Sequence, residues 1–259
     1  MNNQALSFLK IKPILDEIHG WCLPEALATW DSLLSFQKSL SITGNILEIG
    51  VWRGKTAALM LNHLNTQQEK IYLVDINLQM DELKKNLSLV SNDQDNIVYH
   101  QASSFGLEHI NFPANSCKWI HIDGKHTGEA VYNDLKAADK FLSYNGIVCI
   151  DDFFEHQYPQ ITQAVFRYLD KNPYSFGMFL CGFKKAYLAR IEYIENYLTH
   201  CHKGLLQDLE ARNASVTISK TTYIADLNCF SMVPRYADLI LRGPDWDKHH
   251  LEVNSRIAI

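Results

Sequence analysis

The chain has 259 residues, of which 47% are hydrophobic and 20% charged, and its formal net charge is −5. These values exclude a disordered or low-complexity chain, and the negative charge argues against a nucleic-acid partner. Apolar runs reach only strand length, short of the roughly 20 residues that a membrane-spanning helix needs, so we expect no membrane partner. Residues 1–13 show no secretory signal sequence and the six cysteines form no CxxC pair, which favours a cytoplasmic protein with reduced thiols.

The N-terminal part of the chain is predicted to be helical. Apolar residues recur at helical spacing through residues 12–40, and Pro24 suits the first turn of a helix. Gly44 then interrupts the pattern. We therefore predict a helical N-terminal region over residues 1–43, followed by one α/β domain over residues 44–259.

A regular alternation of strands and helices begins after Gly44. Short β-rich runs alternate with stretches of helical periodicity, whereas the link over residues 102–116 is irregular. Strands separated by helices imply right-handed crossovers and a Rossmann-like α/β fold, in which a doubly wound, mostly parallel sheet carries helices on both faces. The predicted strands are Ile46–Ile49, Ile71–Val74, Ile97–His100, Trp119–Ile122 and Ile147–Ile150, and the predicted helices are 55–65, 79–91 and 128–143.

The pattern changes after residue 157. Residues 160–170 show helical periodicity, residues 178–189 are typical of strands, and residues 215–234 are strand-rich. Between them, residues 191–212 predict one long amphipathic helix. Because no flexible Gly/Ser-rich linker precedes this part of the chain, we assign it to the same domain.

The turn after the first predicted strand contains two glycines, Gly50 and Gly54, that allow the backbone to approach a ligand closely. The turn lacks the GxGxxG pattern of dinucleotide sites, and it is one residue shorter than the phosphate-binding GxxxxGK[ST] loop. A third interpretation is the ExGxxxG turn that surrounds the methionine part of S-adenosylmethionine. The full stretch reads Glu48-Ile49-Gly50-Val51-Trp52-Arg53-Gly54-Lys55-Thr56.

An acidic residue at the end of the second predicted strand favours a nucleoside ligand. Asp75 lies where a carboxylate can accept hydrogen bonds from both hydroxyls of a ribose; the alternative is that it caps the next helix. Two serines after the third strand form a polar edge suited to an adenine. The predicted cofactor-binding residues are Glu48, Gly50, Gly54, Lys55, Thr56, Asp75, Ser103 and Ser104.

Three carboxylates follow the fourth and fifth predicted strands. Asp123 ends one strand, and Asp151 and Asp152 end the other. Because these strand ends share one edge of a parallel sheet, the carboxylates repel one another unless a cation compensates them. Carboxylate oxygens are the ligands that Mg²⁺ prefers, so the pattern predicts a metal site; the alternative is that each aspartate caps a helix. His126 is close enough to Asp123 to act as a base near neutral pH, or else is a surface residue.

Two other histidine patterns carry less information. His121 and Asp123 lie on one strand face, as in a two-His-one-carboxylate iron site. Those sites are usual in all-β barrels, so we interpret His121 as a packed strand residue. His200 and His202 are two residues apart on a predicted helix and therefore point in different directions.

Residues 44–153 resemble the class I S-adenosylmethionine-dependent methyltransferases, in particular the metal-dependent O-methyltransferases typified by macrocin O-methyltransferase. The resemblance implies that Asp123, Asp151 and Asp152 bind Mg²⁺ and that His126 is the catalytic base, with Asp123 beside it. It also implies that the helical region around Trp21 closes over the site. The stretches that carry the resemblance are residues 47–56, Val74-Asp75, His121-Ile122-Asp123-Gly124-Lys125-His126 and Gly146-Ile147-Val148-Cys149-Ile150-Asp151-Asp152-Phe153.

The expected function is transfer of a methyl group from S-adenosylmethionine to a hydroxyl of a small molecule, of sugar or natural-product type, with Mg²⁺ as a second cofactor. The chain is also compatible with a homo-oligomer. Two alternatives remain open from the residues alone. One is a nucleoside-binding protein without methyl transfer, and the other is a P-loop-like phosphotransferase that uses Lys55, Thr56 and Asp123.

Overall fold

A computed structural model describes residues 6–109, 112–224 and 227–235, so the ends of the two predicted regions, 1–5 and 236–259, lie outside the described residues. A short 3-10 helix, Ser104–His109, lies in the irregular link. The helices are α1 Phe8–Glu17, α2 Pro24–Ser39, α3 Lys55–Asn62, α4 Met80–Ser88, α5 Gly128–Phe141, α6 Pro159–Lys171, α7 Ile194–Lys203 and α8 Leu205–Glu210. The strands are β1 Asn45–Ile49, β2 Ile71–Asp75, β3 Ile97–Gln101, β4 Cys117–Ile122, β5 Leu142–Ile150, β6 Phe176–Gly182, β7 Lys185–Arg190, β8 Val216–Ile224 and β9 Leu227–Pro234.

Within the described residues, nine strands form one sheet in the order β3-β2-β1-β4-β5-β7-β6-β9-β8. Strands β1 to β5 pair in parallel, whereas β7 lies antiparallel to both β5 and β6. The order of the parallel strands reverses between β1 and β4, and ligands of open α/β sheets bind beyond the carboxyl ends of strands at such a point. The predicted Rossmann-like, mostly parallel sheet is therefore confirmed.

Successive residues of the central strands face opposite sides of the sheet and enter two separate apolar clusters. On β1, Ile46 belongs to the first cluster and Leu47 to the second; on β4, Trp119 and Ile120 divide in the same way. Helices α5 and α6 cover the second cluster, and the remaining helices cover the first. This confirms the prediction of helices on both faces, since a sheet buried on both sides needs apolar residues at consecutive positions.

The helical N-terminal extension packs on the first face of the sheet. Leu15 of α1 and Trp30 of α2 are fully buried and share the first cluster with Ile46. Pro24 is the first residue of α2, as predicted, where its missing N–H leaves no hydrogen bond unmade.

The single helix predicted over residues 191–212 is wrong. The structure divides it into α7 and α8, because α7 ends at Lys203 and Gly204 adopts a non-helical conformation between the two helices. Glycine is a poor helix former, and the break lets Leu205 and Leu209 of α8 reach the apolar core. Within the described ranges, the helices are too short or too polar to cross a bilayer.

Candidate active site

The turn after β1 is held in a conformation that suits glycine. Gly50 and Gly54 have φ angles of +85° and +79°, in the region that side chains disfavour. A Cβ atom at Gly50 would lie 1.9 Å from the backbone oxygen of Asp123, so the turn passes directly against the exit of β4. At Gly54, a Cβ would lie 2.4 Å from a methyl group of Leu83. Both glycines are thus required by close packing as well as by backbone geometry.

Asp75 is tied to the glycine turn from the neighbouring strand. Its Oδ2 accepts hydrogen bonds from the backbone N–H groups of Val51 (2.8 Å) and Trp52 (3.1 Å), and its Oδ1 accepts one from the N–H of Asn77 (2.9 Å). The structure therefore brings together the turn and the acid that the sequence singles out. Both line a cavity of about 120 Å³, whose walls are His19, Gly20, Trp21, Cys22, Gly50–Thr56, Asp75, Asp123 and Asp151.

The segment between α1 and α2, residues 19–22, forms the outer wall of this cavity. Trp21 is 82% exposed and its ring stacks on that of Trp52, with centroids 4.2 Å apart and planes inclined by 18°. A Cβ at Gly20 would lie 2.9 Å from the Cβ of Lys55, so the segment rests on the start of α3. The cavity that this segment covers is smaller than the roughly 300–1,000 Å³ of typical small-molecule and cofactor pockets.

The three predicted metal-binding carboxylates lie at the ends of β4 and β5, but they fall into two sets. Among the described residues, His121, Asp123 and Asp151 form a buried set, and Asp123, His126 and Asp152 form a half-exposed one; within each set the candidate ligand atoms lie within 4.8 Å of one another. Asp123 belongs to both. Carboxylate oxygens with one imidazole nitrogen suit a hard divalent ion such as Mg²⁺ or Mn²⁺.

His126 lies between two carboxylates of the half-exposed set. Its Nε2 is 3.0 Å from Oδ2 of Asp152 and 3.4 Å from Oδ1 of Asp123. Its ring stacks on Tyr158 at 4.5 Å, and its backbone oxygen accepts a hydrogen bond from Nε2 of Gln160 (2.7 Å). The carboxylates of Asp123 and Asp152 raise the pKa of His126 to about 10. Burial, together with the charge of Asp151, raises the pKa of Asp123 to about 6.

Glu48 differs from its prediction as a cofactor-binding residue. The side chain is fully buried, and its Oε1 lies 2.9 Å from Nδ1 of His121, which is also buried. Burial lowers the pKa of His121, but the carboxylates of Asp151 and Glu48 outweigh it and raise the pKa to about 9. Glu48 thus lies beneath the site, because side chains alternate across β1, and it orients His121 rather than lining the cavity. His121 packs edge-on against Trp30, in line with its prediction as a packed residue.

Lys185, at the start of β7, was not anticipated from the sequence. It is only 2% exposed, and its Nζ contacts Oδ1 of Asp151. Burial disfavours the charged lysine, but Asp151 outweighs this effect and the pKa of Lys185 is raised. Lys185 and His121 in turn hold the pKa of Asp151 below its usual range despite burial. The sequence signal that could have identified Lys185 is a lysine at the start of an apolar strand, because a charge buried there requires a partner.

The remaining predicted residues divide between the cavity and its surroundings. Lys55 and Thr56 begin α3 and line the cavity. Ser103 and Ser104 follow β3 but do not line it: Ser103 Oγ lies 3.4 Å from the N–H of Phe105, and the backbone oxygen of Ser104 accepts a long hydrogen bond from Asn133. The predicted adenine contact therefore stays a prediction.

Comparison with known proteins agrees with this architecture. Residues 47–153 match the sequence family described as a methyltransferase domain, and no curated protein sequence gives a significant match. The O-methyltransferase NovP has a TM-score of 0.55 and 16% identity, over 64% of this chain and 79% of that one. A provisionally assigned O-methyltransferase from Klebsiella pneumoniae has a TM-score of 0.53 and 15% identity, over 70% of this chain and 94% of that one. A provisionally assigned caffeoyl-CoA O-methyltransferase from Staphylococcus aureus has a TM-score of 0.52 and 14% identity, over 72% and 93%. At these identities the structural likeness establishes the fold.

Proposed function

We propose that the protein uses S-adenosylmethionine to methylate a hydroxyl group of a small molecule, since residues 47–153 match a methyltransferase domain. The observation that carries the proposal is the tie between Asp75 and the glycine turn at the switch point of the sheet, beside a cluster of carboxylates and a histidine. One side of this arrangement suits a nucleoside-containing methyl donor, and the other suits activation of an alcohol or phenol.

For the donor, the proposed contacts follow from backbone geometry and charge. Gly50 and Gly54 let the turn approach the methionine part closely. The N-terminus of α3, which begins at Lys55, presents free N–H groups. Asp75 faces the cavity as the acceptor for the ribose hydroxyls, while the backbone hydrogen bonds fix its side chain. This preorganisation lowers the cost of ordering the site on binding.

For the acceptor, the proposed machinery is the half-exposed set of Asp123, His126 and Asp152. Both carboxylates offer oxygens to a divalent ion, most simply Mg²⁺, which when bound supplies Lewis acidity that lowers the pKa of a hydroxyl. Nε2 of His126 accepts the hydroxyl proton while the acceptor oxygen forms its bond to the methyl carbon. The carbon–sulfur bond breaks, and the sulfur keeps the electron pair as the donor becomes S-adenosylhomocysteine. Tyr158 stacks on the imidazole, and Gln160 fixes the backbone of His126.

The first experiment measures ligand binding. Calorimetric titration with S-adenosylhomocysteine and, separately, with ATP distinguishes a methyltransferase from a phosphotransferase. We expect S-adenosylhomocysteine to bind and ATP not to bind, because the turn is one residue short of a P-loop. Formation of S-adenosylhomocysteine from S-adenosylmethionine is then followed with a panel of sugar nucleotides, glycosides and phenols. Binding without turnover of any acceptor would favour the nucleoside-binding alternative.

Replacing Asp75 with alanine should weaken S-adenosylhomocysteine binding by at least about tenfold, since the unpaired ribose hydroxyls cost roughly 1–3 kcal/mol. The same change removes the acceptor for the N–H groups of Val51 and Trp52, so a modest fall in melting temperature is also expected. Asp170→Ala, at an exposed position of α6, is the matched control. Unchanged affinity in Asp75→Ala would rule out its role at the ribose.

A further inference from the structure

The direction of β7 brings a lysine to the edge of the sheet where the site lies. Because β7 runs antiparallel to β5, its first residues lie beside the last residues of β5, and Ala186 pairs with Ile150. Phe183 and Lys184, both with positive φ, form the turn that precedes it. Lys185 thus enters the cluster from outside the matched methyltransferase domain, whereas Lys184 stays exposed and pairs with Glu155.

One oxygen of Asp151, Oδ1, is already occupied by groups of the chain, whereas Oδ2 makes no close hydrogen bond to His121. Oδ1 contacts Nζ of Lys185 and also accepts a hydrogen bond from the backbone N–H of Asp152 at 2.7 Å. Oδ2 lies 3.7 Å from Nε2 of His121. A buried carboxylate needs such partners, since an unpaired charge in the interior is strongly unfavourable. Asp123 and Asp152 differ, because His126 is the shared partner of both and their side chains remain 33% and 20% exposed.

We propose that the ammonium group of Lys185 is the permanent counter-cation of Asp151, so that the divalent ion is held by Asp123 and Asp152 and Asp151 is not one of its ligands. Lys185 then keeps Asp151 out of the ligand set rather than helping to bind the ion. This inference rests on the metal-assisted function proposed above, and it changes the ligand set that the sequence predicted.

Both charge and burial support the assignment of the ion to Asp123 and Asp152 without Asp151. A divalent ion on Oδ1 of Asp151 would share that oxygen with the ammonium group of Lys185. An ion on Oδ2 would still lie on the same carboxylate as this ammonium group, so in both positions the two cations would repel at close range. Lys185 is buried, so moving its ammonium group away from Asp151 would leave a charge unpaired in the interior. The half-exposed set has no such conflict, because the ion only replaces the hydrogen bonds of His126.

The test uses Mn²⁺ as the probe and measures its dissociation constant by calorimetry, with free Mn²⁺ followed by electron paramagnetic resonance. Asp152→Asn should weaken Mn²⁺ binding by about 100-fold, since loss of even an outer partner of a ligand costs about 10–100-fold. The double variant Asp151→Asn with Lys185→Met, which removes the pair as a neutral unit, should leave Mn²⁺ affinity close to that of the wild type. Lys185→Met alone should tighten binding by about tenfold or more, because it leaves the charge of Asp151 uncompensated next to the ion.

Lys184→Met is the matched control and should leave Mn²⁺ affinity unchanged, since Lys184 is 53% exposed and pairs with Glu155 rather than with Asp151. If Lys185→Met does not fold, the double variant still decides the question. A loss of Mn²⁺ affinity in the double variant as large as that in Asp152→Asn would overturn the inference, and so would a wild-type protein that binds no Mn²⁺. Binding of S-adenosylhomocysteine, measured in the same samples, keeps failure of this inference separate from failure of the proposed methyl transfer.

Discussion

Replacing His126 with alanine should lower methyl-transfer turnover by about 10²–10⁴-fold, the range that general base catalysis contributes. Binding of S-adenosylhomocysteine should not change, and divalent metal should bind no more weakly, because His126 competes for the carboxylates of Asp123 and Asp152. The measurement is turnover with the acceptor that the panel identifies. His156→Ala is the control, since this histidine is 88% exposed and lies outside the cavity.

The pH dependence gives the same hypothesis a second test. With free carboxylates beside it, His126 has a pKa of about 10 and is protonated at neutral pH, so it acts as a base only once that proton is lost. Turnover should therefore rise with pH. A divalent ion on Asp123 and Asp152 replaces the interactions that raise the pKa, so added Mg²⁺ should move the midpoint of this rise to lower pH. A midpoint that stays fixed over a wide range of Mg²⁺ concentration, or full turnover in His126→Ala near neutral pH, would exclude this role.

Gly50→Ala should reduce the free energy of unfolding by about 2–6 kcal/mol, because a left-handed backbone costs a non-glycine residue about 1–3 kcal/mol and forced overpacking costs about as much again. The added methyl would lie 1.9 Å from the backbone oxygen of Asp123. A backbone atom cannot move aside as the end of a flexible side chain can. S-adenosylhomocysteine binding should be lost as well, since the turn and the exit of β4 must separate.

Gly106→Ala is the matched control for this substitution, because nothing lies within 4 Å of a Cβ built at that glycine. Urea unfolding of both variants gives the comparison. If the two glycine variants differ by less than about 1 kcal/mol, a difference that single surface substitutions already approach, the close approach of turn and strand end does not constrain the fold as described.

The arrangement of the glycine turn and Asp75 could be predicted because it depends on local order along the chain. The distance from Gly50 to Asp75 in sequence corresponds to one strand–helix–strand unit, and the periodicity of the chain reveals that unit directly. The same holds for Asp123 and Asp151, which end consecutive parallel strands. Each of these residues is placed by its own strand, so its position follows from the strand pattern.

The surroundings of the carboxylate cluster were less predictable, because they depend on pairing between segments that are distant in sequence. Lys185 reaches Asp151 only because β7 inserts antiparallel next to β5, and periodicity does not give strand order or direction. Glu48 was assigned to the cofactor by its place in a motif, yet the pleat of β1 turns it toward His121. At Gly204 the sequence and the structure differ for a third reason: the helical periodicity of the sequence continues across this residue, but the helical backbone is interrupted there.

The stacked indoles of Trp21 and Trp52 have a consequence for rates. The cavity beneath residues 19–22 measures about 120 Å³, so binding of the proposed methyl donor should require this segment to move outward. Its observed association rate should then level off at high donor concentration, at the frequency with which the stack opens. Opening separates the two rings, so stopped-flow tryptophan fluorescence reports it directly. If residues 19–22 cover the proposed donor in this way, we expect product departure, rather than the methylation step, to limit the steady state.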